Sequence, residues 1–275
     1  MKHALTIAGS DCSGGAGIQA DLKTFAAHGI YGMSAIVSVV AENTCRVLDI
    51  QDITPDMIEK QIIAVFEDIE VHAVKVGMLS TRAGMLAVSK MLKQYRPKHV
   101  VIDPVMVAKG GCALMQEEAL STLIEEMIPL ADVLTPNIPE AEAITGMKIQ
   151  SEEERKRAAV SIYQMGAKHV LIKGGHLSLE EDATDLLYNG NPFQTFATKR
   201  IPTKNTHGTG CTFSSAIASN LALGYAMPQA VANAKDYVTM AITHALEIGK
   251  GHGPTHHLYD IYQNGLTVKE NEHEL

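Results

Sequence analysis

PDMIEKQIIAVFEDI (residues 55–69), followed closely by AVKVG (73–77), decides the architecture. The first stretch opens with Pro55 in a first-turn position and spaces its apolar residues for a helix, whereas the second is a short, β-rich apolar run. The same alternation recurs along the chain. ALTIA (4–8), MSAIVSVVA (33–41), HVVID (99–103), DVLTP (132–136) and HVLIKG (169–174) read as strands, and SEEERKRAAVSIYQMG (151–166) as a helix capped by Ser151 and ended at Gly166. Strands apolar on both faces and separated by helices predict an α/β fold, with a mostly parallel central sheet and helices on both faces. TDLLYNGNPFQTFATKRI (184–201) breaks the rhythm, because Asn189-Gly190-Asn191 between two alternating runs predicts an antiparallel hairpin at a sheet edge. There is no internal repeat and no long linker, so a single domain over residues 1–265 with a polar tail at 266–275 is expected.

The chain has 275 residues, 46% of them hydrophobic, enough for a sizeable core. Its formal net charge is −8 and its Lys and Arg residues are scattered, which argues against nucleic acid or an anionic membrane as a partner. The N-terminal apolar run is too short for a signal peptide or a membrane span. Cysteines 12, 45, 112 and 211 form no CxxC pair, as expected of free thiols in a reducing, cytoplasmic compartment.

Ligands of parallel sheets bind beyond the carboxyl ends of the strands, and those ends are rich here. They carry GSDCSGGAGIQADLKTF (9–25), Glu42-Asn43-Thr44, Gly77-Met78, Asp103-Pro104-Val105-Met106, Thr135-Pro136-Asn137-Ile138-Pro139-Glu140 and Lys173-Gly174-Gly175-His176. NTHGTGC (205–211) runs straight into the helical pattern TFSSAIASNLAL. The first N–H groups of a helix lack internal partners, and Gly208 and Gly210 would let a phosphate approach them. Cys211 at the helix mouth is expected to be pushed toward thiolate and to accept a proton from a substrate hydroxyl. His207, inside this turn, is a candidate for orienting it. His252, His256 and His257 lack partners at metal-ligand spacing.

The first glycine cluster has a rival reading. Gly15-Ala16-Gly17-Ile18-Gln19-Ala20 matches the dinucleotide pattern, with Glu42 near the position of a ribose-binding acid, so an NAD-dependent oxidoreductase stays open. Against it, Gly9 to Gly14 separate the strand from the pattern, which favours a flexible loop closing over a small polar substrate. Asp21 and Lys23 are then expected on the exposed face of the following helix.

AGSDCSGGAGIQADLKTF, VKVGML (74–79), VVIDPVMVAKGG (100–111), LTPNIPEAE (134–142), VLIKGGH (170–176), KNTHGTGCTFSSAIA (204–218) and GPTHH (253–257) resemble, in order, the hydroxymethylpyrimidine (phosphate) kinase branch of the ribokinase-like superfamily. The resemblance implies a three-layer α/β fold and ATP with Mg²⁺. It implies phosphorylation of 4-amino-5-hydroxymethyl-2-methylpyrimidine and then of its monophosphate, in thiamine biosynthesis. It places an anion hole at Gly208, Thr209, Gly210 and Cys211, with Cys211 in place of the aspartate base of sugar kinases. Asn137 and Glu140 match the family's NxxE motif, with Asn137 near ATP and Glu140 organising Mg²⁺, although the same pair also reads as a helix cap. Lys173 and Thr206 fall at ATP phosphate positions, and Asp103 at a metal position. For the acceptor the resemblance implies Glu42, Gly9, Ala16 and Met78, with Asp21 and Val105 nearby. Glu42 departs from the family's usual Gln; a carboxylate suits an amine that donates and so favours the aminopyrimidine over pyridoxine, but the related pyridoxine and pyridoxal kinases stay open as alternatives. A non-catalytic pyrimidine-binding protein stays open as a separate class, against which Cys211, Lys173 and Glu140 argue. A homodimer is the expected assembly.

Overall fold

The computed structural model describes residues 1–108, 111–116, 118–174 and 182–265; Gly175, His176 and the predicted polar tail lie outside them. In chain order the elements are β1 (His3–Asp11), α1 (Gly17–Ala27), β2 (Tyr31–Glu42), β3 (Val47–Asp52), α2 (Pro55–Phe66), β4 (Ala73–Val76), α3 (Arg82–Tyr95), β5 (Val100–Ile102) and α4 (Ala119–Thr122). They continue with β6 (Val133–Leu134), α5 (Ile138–Thr145), α6 (Glu152–Gln164), β7 (Val170–Ile172), β8 (Asp182–Tyr188), β9 (Gln194–Lys199), α7 (Thr209–Ala222), α8 (Met227–Thr243) and α9 (Tyr259–Asn264). The strands form one sheet in the order β3-β2-β1-β4-β5-β6-β7-β8-β9. It is parallel from β2 to β7. Antiparallel β3 closes one side and the β8–β9 hairpin, turning near Asn189-Gly190-Asn191 as expected, closes the other.

Three layers follow from the pleat. Leu5, Ile7, Val74, Val76, Val100, Ile102, Leu134, Val170 and Ile172 point to one side, into a core with α2, α3, α5 and α6. Ala4, Ala73, Val101, Val133 and Leu171 point to the other, against α1, α7 and α8. Alternate residues of each strand thus feed separate cores, which is why these runs are apolar on both faces. Local signals place the helices: Thr54, Thr81 and Ser151 side chains accept the N–H groups of Met57, Gly84 and Glu154 at the starts of α2, α3 and α6. β3 has no such signal. VLDIQD is mostly exposed and buries too little to betray itself by apolar pattern.

Asp21 corrects the expectation of an exposed helix face. It is fully buried on α1, and its carboxylate accepts from Lys75 Nζ (2.8 and 2.9 Å), Thr6 Oγ1 (2.6 Å) and Ser215 Oγ (2.6 Å). Lys75 is the one charge in the apolar strand β4, and a buried ammonium requires such a partner. Burial pulls the Lys75 ammonium down, but the charges of Asp21 and Asp103 hold it above the ordinary lysine range. Lys23 is exposed as expected and donates to the Gly14 carbonyl at 2.7 Å.

Candidate functional site

The glycine turn opens α7 as its sequence predicts. Gly208 has φ 78°, and a methyl group there would overlap the Gly15 carbonyl oxygen, so only glycine fits. Thr209 is not available to a ligand in the way expected: its N–H donates to the Thr206 carbonyl at 3.3 Å and its hydroxyl to the same oxygen at 2.8 Å. Among the described residues, the N–H groups of Gly210 and Cys211 have no protein acceptor. They belong to a turn that lies beside a charged wall: a methyl group on Gly210 would lie 3.2 Å from Asp103 Oδ2 and 3.5 Å from Lys173 Nζ. Thr206 and Val105 are half-buried at the margin of this hollow, and the Val105 N–H donates to the Asp103 carbonyl.

Cys211 overturns one expectation. Burial is the largest influence on its thiol, which is pushed up to about 11; Lys75 and the Gly17 N–H pull it down, while Asp21 and Asp103 push the same way as burial. The helix N-terminus is therefore outweighed, and the group rests as a thiol rather than a thiolate.

Three neighbouring strand ends build the charged wall. Asp103 after β5 is buried and takes Lys173 Nζ at 2.6 Å and Thr135 Oγ1 at 3.0 Å on Oδ1. Asn137 after β6 bridges in parallel to Lys173, whose N–H donates to the Pro136 carbonyl. Burial lowers the Lys173 ammonium, yet Asp103 and Glu140 hold it above the ordinary range. Asn137 and Glu140 form a reciprocal capping box at α5: Asn137 Oδ1 accepts the Glu140 N–H (2.9 Å) and Glu140 Oε2 accepts the Asn137 N–H (2.8 Å). Glu140 is also buried, and burial raises its carboxyl to about 7, with Asp103 adding to the rise and Lys173 opposing it. The cap and an acidic wall are thus the same residues.

The residues expected on the acceptor side lie where β1 and β2 end. A methyl group on Gly9 would lie 3.2 Å from Met78 Sδ and 3.7 Å from Val40 Cγ2, so bare backbone, thioether and valine share a wall. Asp11, which the sequence reading passed over, organises the loop that follows. Its Oδ1 accepts the Ser13 N–H and hydroxyl at 2.7 Å, and its Oδ2 accepts the N–H groups of Gly15 (2.9 Å) and Ala16 (2.8 Å) and bonds His207 Nε2 (2.8 Å). The loop is therefore pinned rather than slack. The Asx pattern of an aspartate before Ser-Gly-Gly was its available signal. Burial raises the Asp11 carboxyl, but the His207, Ser13 and Ala16 bonds outweigh it and hold it well below the usual carboxylate range. Those bonds also remove the dinucleotide reading, because the Gly15 and Ala16 amides that would face a pyrophosphate are spent on Asp11.

His207 joins this loop to the glycine turn, as expected of an orienting residue. Its N–H donates to the Gly253 carbonyl and its carbonyl accepts the Thr255 N–H, so GPTHH forms the back of the turn. His257 is buried there beside the Thr212 hydroxyl at 3.0 Å, and burial lowers its ring to about 4. His252 bonds the Lys204 carbonyl and His256 packs edge-on against Tyr259 and Tyr262, so the three histidines are structural. Glu42, half-buried, lies beside this loop: one ligand atom from each of Asp11, Glu42 and His207 falls within 4.8 Å of the others.

This geometry has close counterparts. The family model for phosphomethylpyrimidine kinase matches residues 11–256. The thiamine biosynthesis bifunctional protein ThiED of Geobacter sulfurreducens is 50% identical over 254 residues, 92% of this chain, and the chain spans only 52% of that longer protein. The hydroxymethylpyrimidine/phosphomethylpyrimidine kinase of Bacillus subtilis is 47% identical over 98% of both chains. An ADP complex of Bacillus subtilis pyridoxal kinase superposes with a TM-score of 0.88 at 41% identity, covering 94% of this chain and 98% of that one. A match that runs from the Asp11 loop through the glycine turn to GPTHH places the chain in the phosphomethylpyrimidine kinase family.

Proposed function

We propose that the chain transfers the γ-phosphoryl group of ATP to the hydroxymethyl group of 4-amino-5-hydroxymethyl-2-methylpyrimidine and then to its monophosphate, in thiamine biosynthesis. The observation that carries this reading is the pair of unengaged N–H groups at Gly210 and Cys211, set between the Asp103–Lys173 wall and the acceptor loop. Phosphoryl transfer depends mainly on positioning and charge stabilisation, and the two N–H groups with the Asp103–Lys173 wall support a site of that kind. The acceptor oxygen attacks the γ-phosphorus, the bond to the ADP oxygen breaks, and the hydroxyl proton passes to the thiolate fraction of Cys211 or to water. The Gly210 and Cys211 amides and the α7 dipole take up charge on the moving group, while Lys173, steadied by Asp103, faces it from the other side.

The acidic wall fits Mg²⁺. Glu140 and Asp103 offer the hard oxygen donors that ion prefers, and a buried carboxyl raised to about 7 is short of positive charge. Those two residues would hold the ion, which supplies charge neutralisation to the phosphates.

The test is ADP formation by the purified chain with the aminopyrimidine, its monophosphate, pyridoxine or no acceptor, with product masses determined. Acceptor-dependent ADP with the two pyrimidines is the expected result. Absence of any acceptor dependence would reject the kinase assignment, and pyridoxine phosphate as the main product would move it to vitamin B6.

Because Cys211 rests as a thiol, it serves as base only through its small thiolate fraction. Cys211→Ala is therefore expected to lower kcat by about 10²-fold, the low end for general base catalysis. Steady-state kinetics at saturating ATP check it; a loss as complete as that from blocking the amides would restore the thiol to the leading role.

A further inference from the structure

Two carboxyl groups and an imidazole meet where β1, β2 and the turn before α7 converge, and the proposed chemistry at the phosphate does not account for all three. Asp11, Glu42 and His207 bring one ligand atom each within 4.8 Å of one another. The arrangement suits hydrogen bonding better than a metal. Asp11 already accepts from Ser13, Gly15 and Ala16, and His207 Nε2 faces its Oδ2 at 2.8 Å as a donor. Two carboxylates at such a distance do not both ionise readily. Asp11 collects the donors, so it keeps the charge; Glu42 is left with the proton.

We infer that Asp11, held in place as a carboxylate by His207 Nε2 and the loop N–H groups, makes Glu42 meet its acceptor as a proton-bearing carboxyl, so that the site selects a heterocycle with a ring nitrogen beside an exocyclic amine. The inference rests on the kinase reading proposed above and on the acceptor role that the resemblance implies for Glu42. A carboxylic acid presents one donor and one acceptor side by side. A ring nitrogen accepts the O–H while the neighbouring amine donates to the C=O, and both bonds form at once. A carboxylate presents two acceptors and leaves the ring nitrogen unpaired. The pyridine ring of pyridoxine has no amine next to its nitrogen and can use only one of the two positions.

The groups that bear on Glu42 are few. Asp11 reaches it from β1, His207 from the turn before α7, and Cys12 from the intervening loop, where its thiol donates to the Glu42 carbonyl at 3.0 Å; Arg46, on the same hairpin, is exposed. Burial, then the Asp11 charge, raise Glu42 to about 7, and His207 opposes them. The sign follows from linkage: a form that binds only while protonated is present at pH 6 and lost as pH rises through 7.

The experiment measures KM for the aminopyrimidine from pH 6 to pH 8 at saturating ATP, for the parent chain, Glu42→Gln and His207→Gln. In the parent, KM is expected to rise about tenfold over that range while kcat changes less. Glu42→Gln keeps a donor and an acceptor at every pH and loses the rise. His207→Gln still donates to Asp11 but cannot carry charge, so the rise moves to higher pH. Calorimetry of acceptor binding at pH 7.5 in two buffers of different ionisation enthalpy should show uptake of roughly one proton in the parent and none in Glu42→Gln. A parent KM that is flat or falling between pH 6 and 8, or a rise as steep in Glu42→Gln as in the parent, overturns the inference while leaving the kinase intact. Absence of acceptor-dependent ADP in the parent is the separate result that rejects the kinase and this inference with it.

Discussion

Gly210→Asp is expected to lower kcat by at least about 10³-fold while acceptor binding survives. A Cβ at this position would lie 3.2 Å from Asp103 Oδ2 and 3.5 Å from Lys173 Nζ, so an added carboxylate enters the space between the free N–H groups and the charged wall. It would there take the hydrogen bonds meant for the γ-phosphoryl group, neutralise Lys173 and repel the incoming phosphate. Gly210 does not need glycine for its backbone, because it is not among the positive-φ residues, so the variant should fold. Gly210→Ala separates the two effects: it crowds Asp103 without adding charge and should lose much less. Single-turnover transfer from ATP, with acceptor binding followed by calorimetry, makes the measurement. Turnover of Gly210→Asp within about tenfold of the parent would remove this turn from the reaction.

Lys75→Met should cost about 3–5 kcal/mol of folding stability, the usual penalty for removing one partner of a buried ion pair. Both side chains of the Lys75–Asp21 pair are fully buried, with Nζ 2.8 Å from Asp21 Oδ2. Methionine fills the space of the lysine stem but leaves the Asp21 carboxylate with only the Thr6 and Ser215 hydroxyls. Asp21 must then either hold an uncompensated charge in the core or take up a proton. Denaturant titration of the variant, extrapolated to water, gives the number. The double change Asp21→Leu with Lys75→Met should recover most of the loss, because a well-packed apolar pair often matches a buried ionic one. A loss below about 1 kcal/mol in the single variant would mean that water reaches the pair.

Much of the site was readable because it sits at strand ends. The hollow gathers Gly9, near the end of β1, and Met78, Asp103, Asn137 and Lys173, which follow four further parallel strands, together with the start of α7. Parallel strands carry their carboxyl ends to a single edge, so finding the strands finds the edge. The expectations for Cys211 and Asp21 fail for electrostatic reasons, that for Thr209 fails because the Thr206 carbonyl takes its N–H and hydroxyl, and Asp11 has a role to which the sequence analysis gives no weight. Cys211 was expected to lie near thiolate from its helix N-terminus, but burial and the nearby carboxylates outweigh that local effect. Asp21 was placed in solvent, where a helix charge usually goes, because its partner lies 54 positions away in β4. Asp11 was passed over because its value lies in its contacts with Gly15, Ala16 and His207, the last 196 positions distant.

Periodicity and turn chemistry, which act over a few residues, were sufficient for the layered α/β architecture, the hairpin at Asn189-Gly190-Asn191 and the glycine turn at 208–210. Folding decided which charges stand alone. The upward push on the Glu42, Glu140 and Cys211 groups, the burial of Asp21 with Lys75, and the fastening of the loop after β1 to the glycine turn through Asp11 and His207 all depend on groups brought together from distant parts of the chain. The physical reason is range: hydrogen-bond geometry and side-chain pattern are local along the chain, whereas desolvation and Coulomb interaction depend on distance in space.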